Sequence, residues 1–206
     1  MRATRQTVGP QIGAELQGKA IWAIVLSVLA MGVYIAVRFD PMFGVAAVLC
    51  LVHDVFVTLA FLTLLPTAEF EILTVAALLM VVGYSINDKV VIYDRVRENL
   101  RKSGGKGDFE TILNESLNQS LSRTILTGGC VMLVLGALII LGGPVLNEFA
   151  WILLVGTIAG TYSTVTIAPA IVIAWNRRAG KRRTAPVAVR NEPTREEKPT
   201  RKRKAS

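Results

Sequence analysis

Five long blocks of apolar residues dominate the chain, at 20–37, 43–65, 72–93, 124–147 and 149–176, and each is free of charge or nearly so. Each has roughly the 20 residues that an α-helix needs to cross a hydrocarbon layer about 30 Å thick. Backbone polar groups find no water in that layer and must be satisfied within their own segment, so the blocks are read as transmembrane helices. The expected fold class is an all-α polytopic bundle of five spans. Arg38 closes the first block, His53 and Asp54 interrupt the second near its middle, and Asn87, Asp88 and Lys89 lie near the end of the third.

The longest internal connection, 94–123, continues as helix through Arg101 and breaks at Ser103-Gly104-Gly105-Lys106-Gly107. A second helix then starts behind Asp108, whose carboxylate can cap it. Phe109, Ile112, Leu113, Leu117 and Leu121 recur at helical spacing in it. That single apolar face predicts an amphipathic helix lying along the cytoplasmic membrane surface. Pro169 is expected to kink the fifth span.

Composition supports the same class. Of 206 residues, 52% are hydrophobic and 18% charged, which excludes an ordinary soluble domain. The formal net charge of +8 matters through its location, since twelve of the 23 Lys and Arg residues fall between Arg177 and Lys204. The region 177–206 reads as a basic, disordered cytoplasmic tail that can touch anionic lipids, each basic residue there contributing about 1 kcal/mol. Nucleic acid is not an expected partner. Positive charge concentrates on the cytoplasmic side of membrane proteins. The loops at 66–71 and 142–148 contain no Lys or Arg, whereas Arg38, 94–123 and the tail hold nearly all of them. The predicted topology has the N-terminal segment 1–19 outside, the membrane domain at 20–176 and the C-terminus in the cytoplasm. Arg2, Arg5 and Lys19 oppose that rule and no cleavable signal can be drawn ahead of residue 20, so a preceding segment is expected to be missing.

No catalytic residues, metal ligands or cofactor motif emerge. Cys50 and Cys130 lie in apolar blocks without ligand spacing. The run 104–107 lacks the spacing of a phosphate loop. Asp88 carries more information, because an acidic residue at the centre of a span costs about 2.5–3.5 kcal/mol to insert and usually faces an ion or proton path. Tyr84 and Ser85, one turn back, and Asn87 beside it would form one polar patch; the structural alternative is a carboxylate paired merely to join two helices. Arg123, at the entry to the fourth span, cannot lose its proton, so near Asp88 its role would be electrostatic; otherwise it is an interfacial anchor. Lys89 is expected to snorkel toward the cytoplasmic interface. His53 and Asp54 could relay protons or form a helix–helix hydrogen bond with Thr58. Gly156 and Gly160 form a GxxxG, continued by Thr164, that suits close helix packing.

The run Gly83-Tyr84-Ser85-Ile86-Asn87-Asp88-Lys89-Val90-Val91-Ile92-Tyr93-Asp94-Arg95-Val96-Arg97-Glu98-Asn99 resembles the signature of the SecF family. The stretches 8–13, 39–41, 51–55 and 117–124 are similar to further family segments, so the resemblance covers roughly 8–175. It implies a membrane domain of the resistance-nodulation-division type that partners SecD, serves the SecYEG channel and uses the proton gradient to help draw out exported unfolded polypeptides, with no enzymatic step and no cofactor. It also implies a proton path through Asp88 and Arg123, with Asp54 at a polar family position. Lys89 stands where the family commonly has threonine, a cation beside the implied proton acceptor that could shift the titration of Asp88 or do nothing if it snorkels. The family's first span and extracytoplasmic domain have no counterpart here, which implies a truncated, split or mis-started member. A non-transporting scaffold and a small-molecule exporter of the same superfamily are the competing readings.

Overall fold

A computed structural model describes residues 10–64, 72–104 and 107–178, and the side chains of 18 onward within them. The described residues are helical apart from short turns. The elements are α1 (Pro10–Arg38), α2 (Pro41–Leu64), α3 (Ile72–Lys102), α4 (Phe109–Leu141), α5 (Gly143–Tyr162), a π-helical turn (Ser163–Ile167) and α6 (Ala168–Arg178). α5, the π turn and α6 run on as one span, which leaves, among the described residues, five helices long and apolar enough to cross a membrane. The loop 66–71 and the tail beyond 178 lie outside the described residues.

α3 is the centre of the bundle. Val81, Val82, Leu78, Ala77 and Val96 on it have at most 1% of their surface exposed, because α1, α2, α4 and α5 all pack against it. By contrast, large apolar side chains stand exposed on α1 (Trp22, Leu26, Val33, Val37) and α4 (Leu126, Leu133, Val134, Ile140). Such a surface is stable only against lipid or a partner. Small residues set the closest approaches. A Cβ on Gly156 would sit 2.1 Å from Val81 Cγ2, and one on Gly160 would sit 3.1 Å from Ser85 Cβ. The glycine pair thus lets α5 lie directly on α3.

Three expectations change. The connection after residue 108 is no separate surface helix, since α4 runs unbroken from Phe109 to Leu141. Its apolar face turns inward: Ile112 and Leu113 are buried, and Phe109 and Leu117 pack against the same core as Tyr93 and Val96. The reason is that α3 itself extends to Lys102 and offers a protein surface for that face. Asn99 Nδ2 donates to Ser116 Oγ at 2.8 Å and to Gln119 Oε1 at 3.0 Å across the pair. Asp108 caps α4, accepting from the Thr111 N–H at 3.2 Å.

The basic-free segment 142–148 is likewise mostly helix. Gly142 ends α4, Gly143 takes φ +73°, a left-handed value that glycine adopts without strain, and Pro144 opens α5. The disturbance at Pro169 takes the form of the π turn just before it. Proline has no N–H to give the carbonyl four residues back, and its ring crowds that carbonyl; widening the preceding turn relieves both.

Candidate functional site

A 100° step per residue divides the expected polar patch on α3 into two stripes. Ser85 and Lys89, one turn apart, face α2 and the π turn. Tyr84 and Asp88, the adjacent pair, face α4 and α5. Asn87 points outward and is exposed.

The first stripe meets Asp54 from α2. Asp54 and Lys89 are both wholly buried, and Lys89 Nζ lies 3.2 Å from Asp54 Oδ2. Ser85 Oγ donates to that oxygen at 2.5 Å, and Ser163 Oγ donates to it at 2.9 Å. The ammonium has further acceptors in Ser85 Oγ at 2.5 Å, Ser163 Oγ at 3.2 Å and the Ser85 carbonyl at 3.4 Å. On the other carboxylate oxygen, Oδ1, His53 Nδ1 approaches to 3.1 Å, with the His53 side chain about a third exposed. Two buried charges of opposite sign are therefore neutralised and hydrogen-bonded on every side. Such a pair repays its desolvation only with geometry this complete, and deleting one partner alone typically costs about 3–5 kcal/mol.

Each element has a local reason for its place in this network. Gly160 brings α5 against Ser85, and the π turn that follows carries Ser163 to the centre; Cys50 Sγ on α2 meets the Ser163 carbonyl at 3.9 Å. Thr58 does not reach across to another helix: its Oγ1 donates to the Asp54 carbonyl on its own helix at 2.7 Å. Lys89 does not snorkel. Its stem would have to pass buried neighbours to reach an interface, and a carboxylate with two serine hydroxyls is available within the bundle.

The second stripe is unsatisfied. Asp88 is 4% exposed, and its Oδ2 has no hydrogen-bond partner among the described residues. The buried Tyr84 and Thr161 hydroxyls likewise lack partners, as does that of Thr164. Tyr84 Oη and Thr161 Oγ1 both lie within 4 Å of where a Cβ on Gly128 would be, so α3, α4 and α5 enclose a polar space there. Buried polar atoms are rarely left unpaired, and such a cluster is a place for water or a moving proton.

Arg123 is exposed and lines a cleft of about 260 Å³ between α3 and α4, with Val91, Asp94, Arg95, Glu98, Gln119 and Ser120. The antiparallel register, fixed by Gly128 against Tyr84 and Ser116 against Asn99, sets Arg123 within about one turn of Asp88 toward the α3–α4 loop. No ion pair joins Arg123 to Asp88 among the described residues. Sequence reasoning passed over Ser163 and the inward course of Lys89, and grouped Ser85 with Asp88, whereas its hydroxyl bonds Asp54. The usable signal was the one-turn spacing of Ser85 and Lys89 together with an acid at matching depth in the preceding span.

Five apolar helices enclosing ionisable groups define a polytopic α-helical membrane domain with a charged interior. The chain matches the family described as protein export membrane protein SecD/SecF, C-terminal, over residues 1–178, and it belongs to that family. It is 44% identical over 168 residues to protein translocase subunit SecF of Calditerrivibrio nitroreducens, covering 81% of this chain and 55% of that one. It is 46% identical over 176 residues to SecF of Rickettsia typhi, covering 85% and 56%. The chain thus spans about half the length of the curated SecF relatives it matches. The crystal structure of SecDF from Thermus thermophilus, described as a translocon-associated membrane protein, superposes with a TM-score of 0.78 at 44% identity, over 83% of this chain and 24% of that one. A SecDF structure in a super-membrane-facing form gives 0.74 at 41% identity, over 84% and 23%.

Proposed function

We propose that this chain acts as the membrane part of a SecF-type protein translocase subunit, pairing with SecD beside the SecYEG channel and coupling inward proton flow to the export of unfolded polypeptides. Asp88 is the group that takes up and releases the proton, and Arg123 is the cation that tunes it. The observation carrying this reading is the contrast between the two buried carboxylates. Asp54 is saturated by an ammonium and two serine hydroxyls, so adding a proton there would disrupt three contacts. Asp88 keeps an unpartnered oxygen in a polar space between three helices, where a proton can come and go without dismantling the core.

The family membership and the SecF and SecDF relatives support the translocase assignment. The orientation follows from charge: the end of the bundle that bears Arg38, Arg95, Arg97, Arg101 and Arg177 faces the cytoplasm, as does the C-terminus. The basic tail adds attraction to anionic lipids.

Asp88→Asn tests the reading, since it keeps size and hydrogen-bonding capacity and removes titration. In vesicles from cells co-expressing the chain with SecD, the variant should co-purify with SecD at wild-type yield and lose the gradient-dependent stimulation of export. Full stimulation with asparagine at 88 would leave a scaffold role as the better account.

A further inference from the structure

Lys89 directly follows Asp88 in sequence, yet its acceptors are Asp54, Ser85 and Ser163, on the face of α3 that lies about 100° round the helix from Asp88. An ammonium has three donors and a compact charge on a flexible four-carbon stem, so it settles wherever acceptors are best. Four acceptor atoms are gathered for it, from α2, α3 and the π turn, and the only carboxylate among them is Asp54. The other titratable groups facing this network are His53 and Cys50, both on α2; the π turn contributes only Ser163. Without Asp54, the remaining acceptors around Lys89 are neutral, and the carboxylate adjacent to it in sequence is Asp88.

We propose that Asp54 is a positioning residue whose task is to sequester the Lys89 ammonium away from Asp88, so that Asp88 stays unpaired and free to exchange protons. This inference rests on Asp88 being the proton-exchanging group and adds a reason why a buried cation can stand beside it without capturing it. In a low-dielectric bundle a carboxylate that acquires a fixed counter-ion holds its charge and stops cycling. The Asp54–Lys89 pair therefore acts as a unit: both present or both absent leaves Asp88 free, whereas Lys89 without Asp54 disables it.

That logic predicts an asymmetry in stimulation per assembled complex; a purely structural ion pair would instead lower melting temperature and co-purification in step with stimulation, and a proton relay through Asp54 would not be restored by removing Lys89. Asp54→Asn leaves the cation without its acid and should cut gradient-dependent stimulation by roughly tenfold or more, the scale of a fixed unit charge beside a buried carboxylate. Lys89→Met removes the cation while Asp54 keeps its serine partners; more than about half of the stimulation should survive. The double variant Asp54→Asn/Lys89→Met should recover from the Asp54→Asn defect to the level of Lys89→Met.

The measurement is gradient-dependent export in vesicles containing the full chain with SecD, each variant scored for co-purification and melting temperature, with Asp88→Asn run alongside. If Asp88→Asn retains stimulation, the underlying proton-carrier reading fails and this inference falls with it. If Asp88→Asn is inactive but the double variant stays as inactive as Asp54→Asn, the sequestration idea alone is wrong and Asp54 is itself a carrier. Equal loss in Lys89→Met and Asp54→Asn would likewise overturn it in favour of a structural pair. Should Asp54→Asn fail to assemble while the double variant assembles, the pair is structural and the sequestration idea falls.

Discussion

Lys89 and Asp54 meet 3.2 Å apart with neither side chain exposed, while Asp88, one residue from that lysine, keeps an unpartnered oxygen on the neighbouring face of the helix. The relationship divides labour between two acids at similar depth. One holds helices and a cation in place; the other is left available. Because the first is enclosed by residues from three separated stretches of chain, variants that shift α5 relative to α3 should disturb both sites at once.

Gly156 offers such a variant. Gly156→Ala would place its methyl group 2.1 Å from Val81 Cγ2 and 3.0 Å from Val81 Cβ, so the helices must separate. Overpacking of this kind costs about 1–3 kcal/mol. The detergent-solubilised protein should melt several degrees lower, and Val81→Ala in the same chain should restore much of the loss. Independent, additive effects of the two substitutions would contradict the close α3–α5 contact.

Arg123 can be tested for the kind of help it gives. Arg123→Lys keeps the charge and loses the planar donor fork, whereas Arg123→Ala loses both. With an electrostatic role toward Asp88, export stimulation should fall by about tenfold or more for alanine and by only a few-fold for lysine. Equal losses would point instead to a specific bidentate contact.

Topology follows from the placement of basic residues. After Cys50→Ser and Cys130→Ser, a cysteine at Val145, which is 66% exposed beside the α4–α5 turn, should react with an impermeant thiol reagent added to intact cells. A cysteine at Arg101, near the end of α3, should react only after permeabilisation. Labelling of position 101 in sealed cells would reverse the orientation.

The tail is expected to be dispensable for assembly. Its charges are spread among Pro, Thr and Glu with no apolar face, so deleting 190–206 should leave insertion and SecD co-purification within about twofold of wild type. Attachment of inner-membrane vesicle lipids through this segment should weaken as salt is raised, because surface charge acts only within a Debye length. Loss of the SecD complex on truncation would show that the tail binds protein.

What the sequence determined by itself is the one-dimensional physics: block length against bilayer thickness, helix as the form that satisfies its own backbone, and the cost of Asp88, Asp54 and Lys89 within apolar runs. Those are properties of single segments, so five spans and the presence of enclosed charge were readable without any partner helix. The tertiary structure decided which side each charge faces and what it finds there. Lys89 could have followed its stem to the interface; it turned inward because Gly160 lets α5 approach Ser85, the turn ahead of Pro169 widens, and Ser163 and Asp54 arrive together. The apolar face of 109–121 could equally have met lipid, and met α3 because that helix runs on to Lys102. In both cases the outcome depended on an acceptor or a surface contributed by a distant stretch of chain, and local spacing alone does not carry that information.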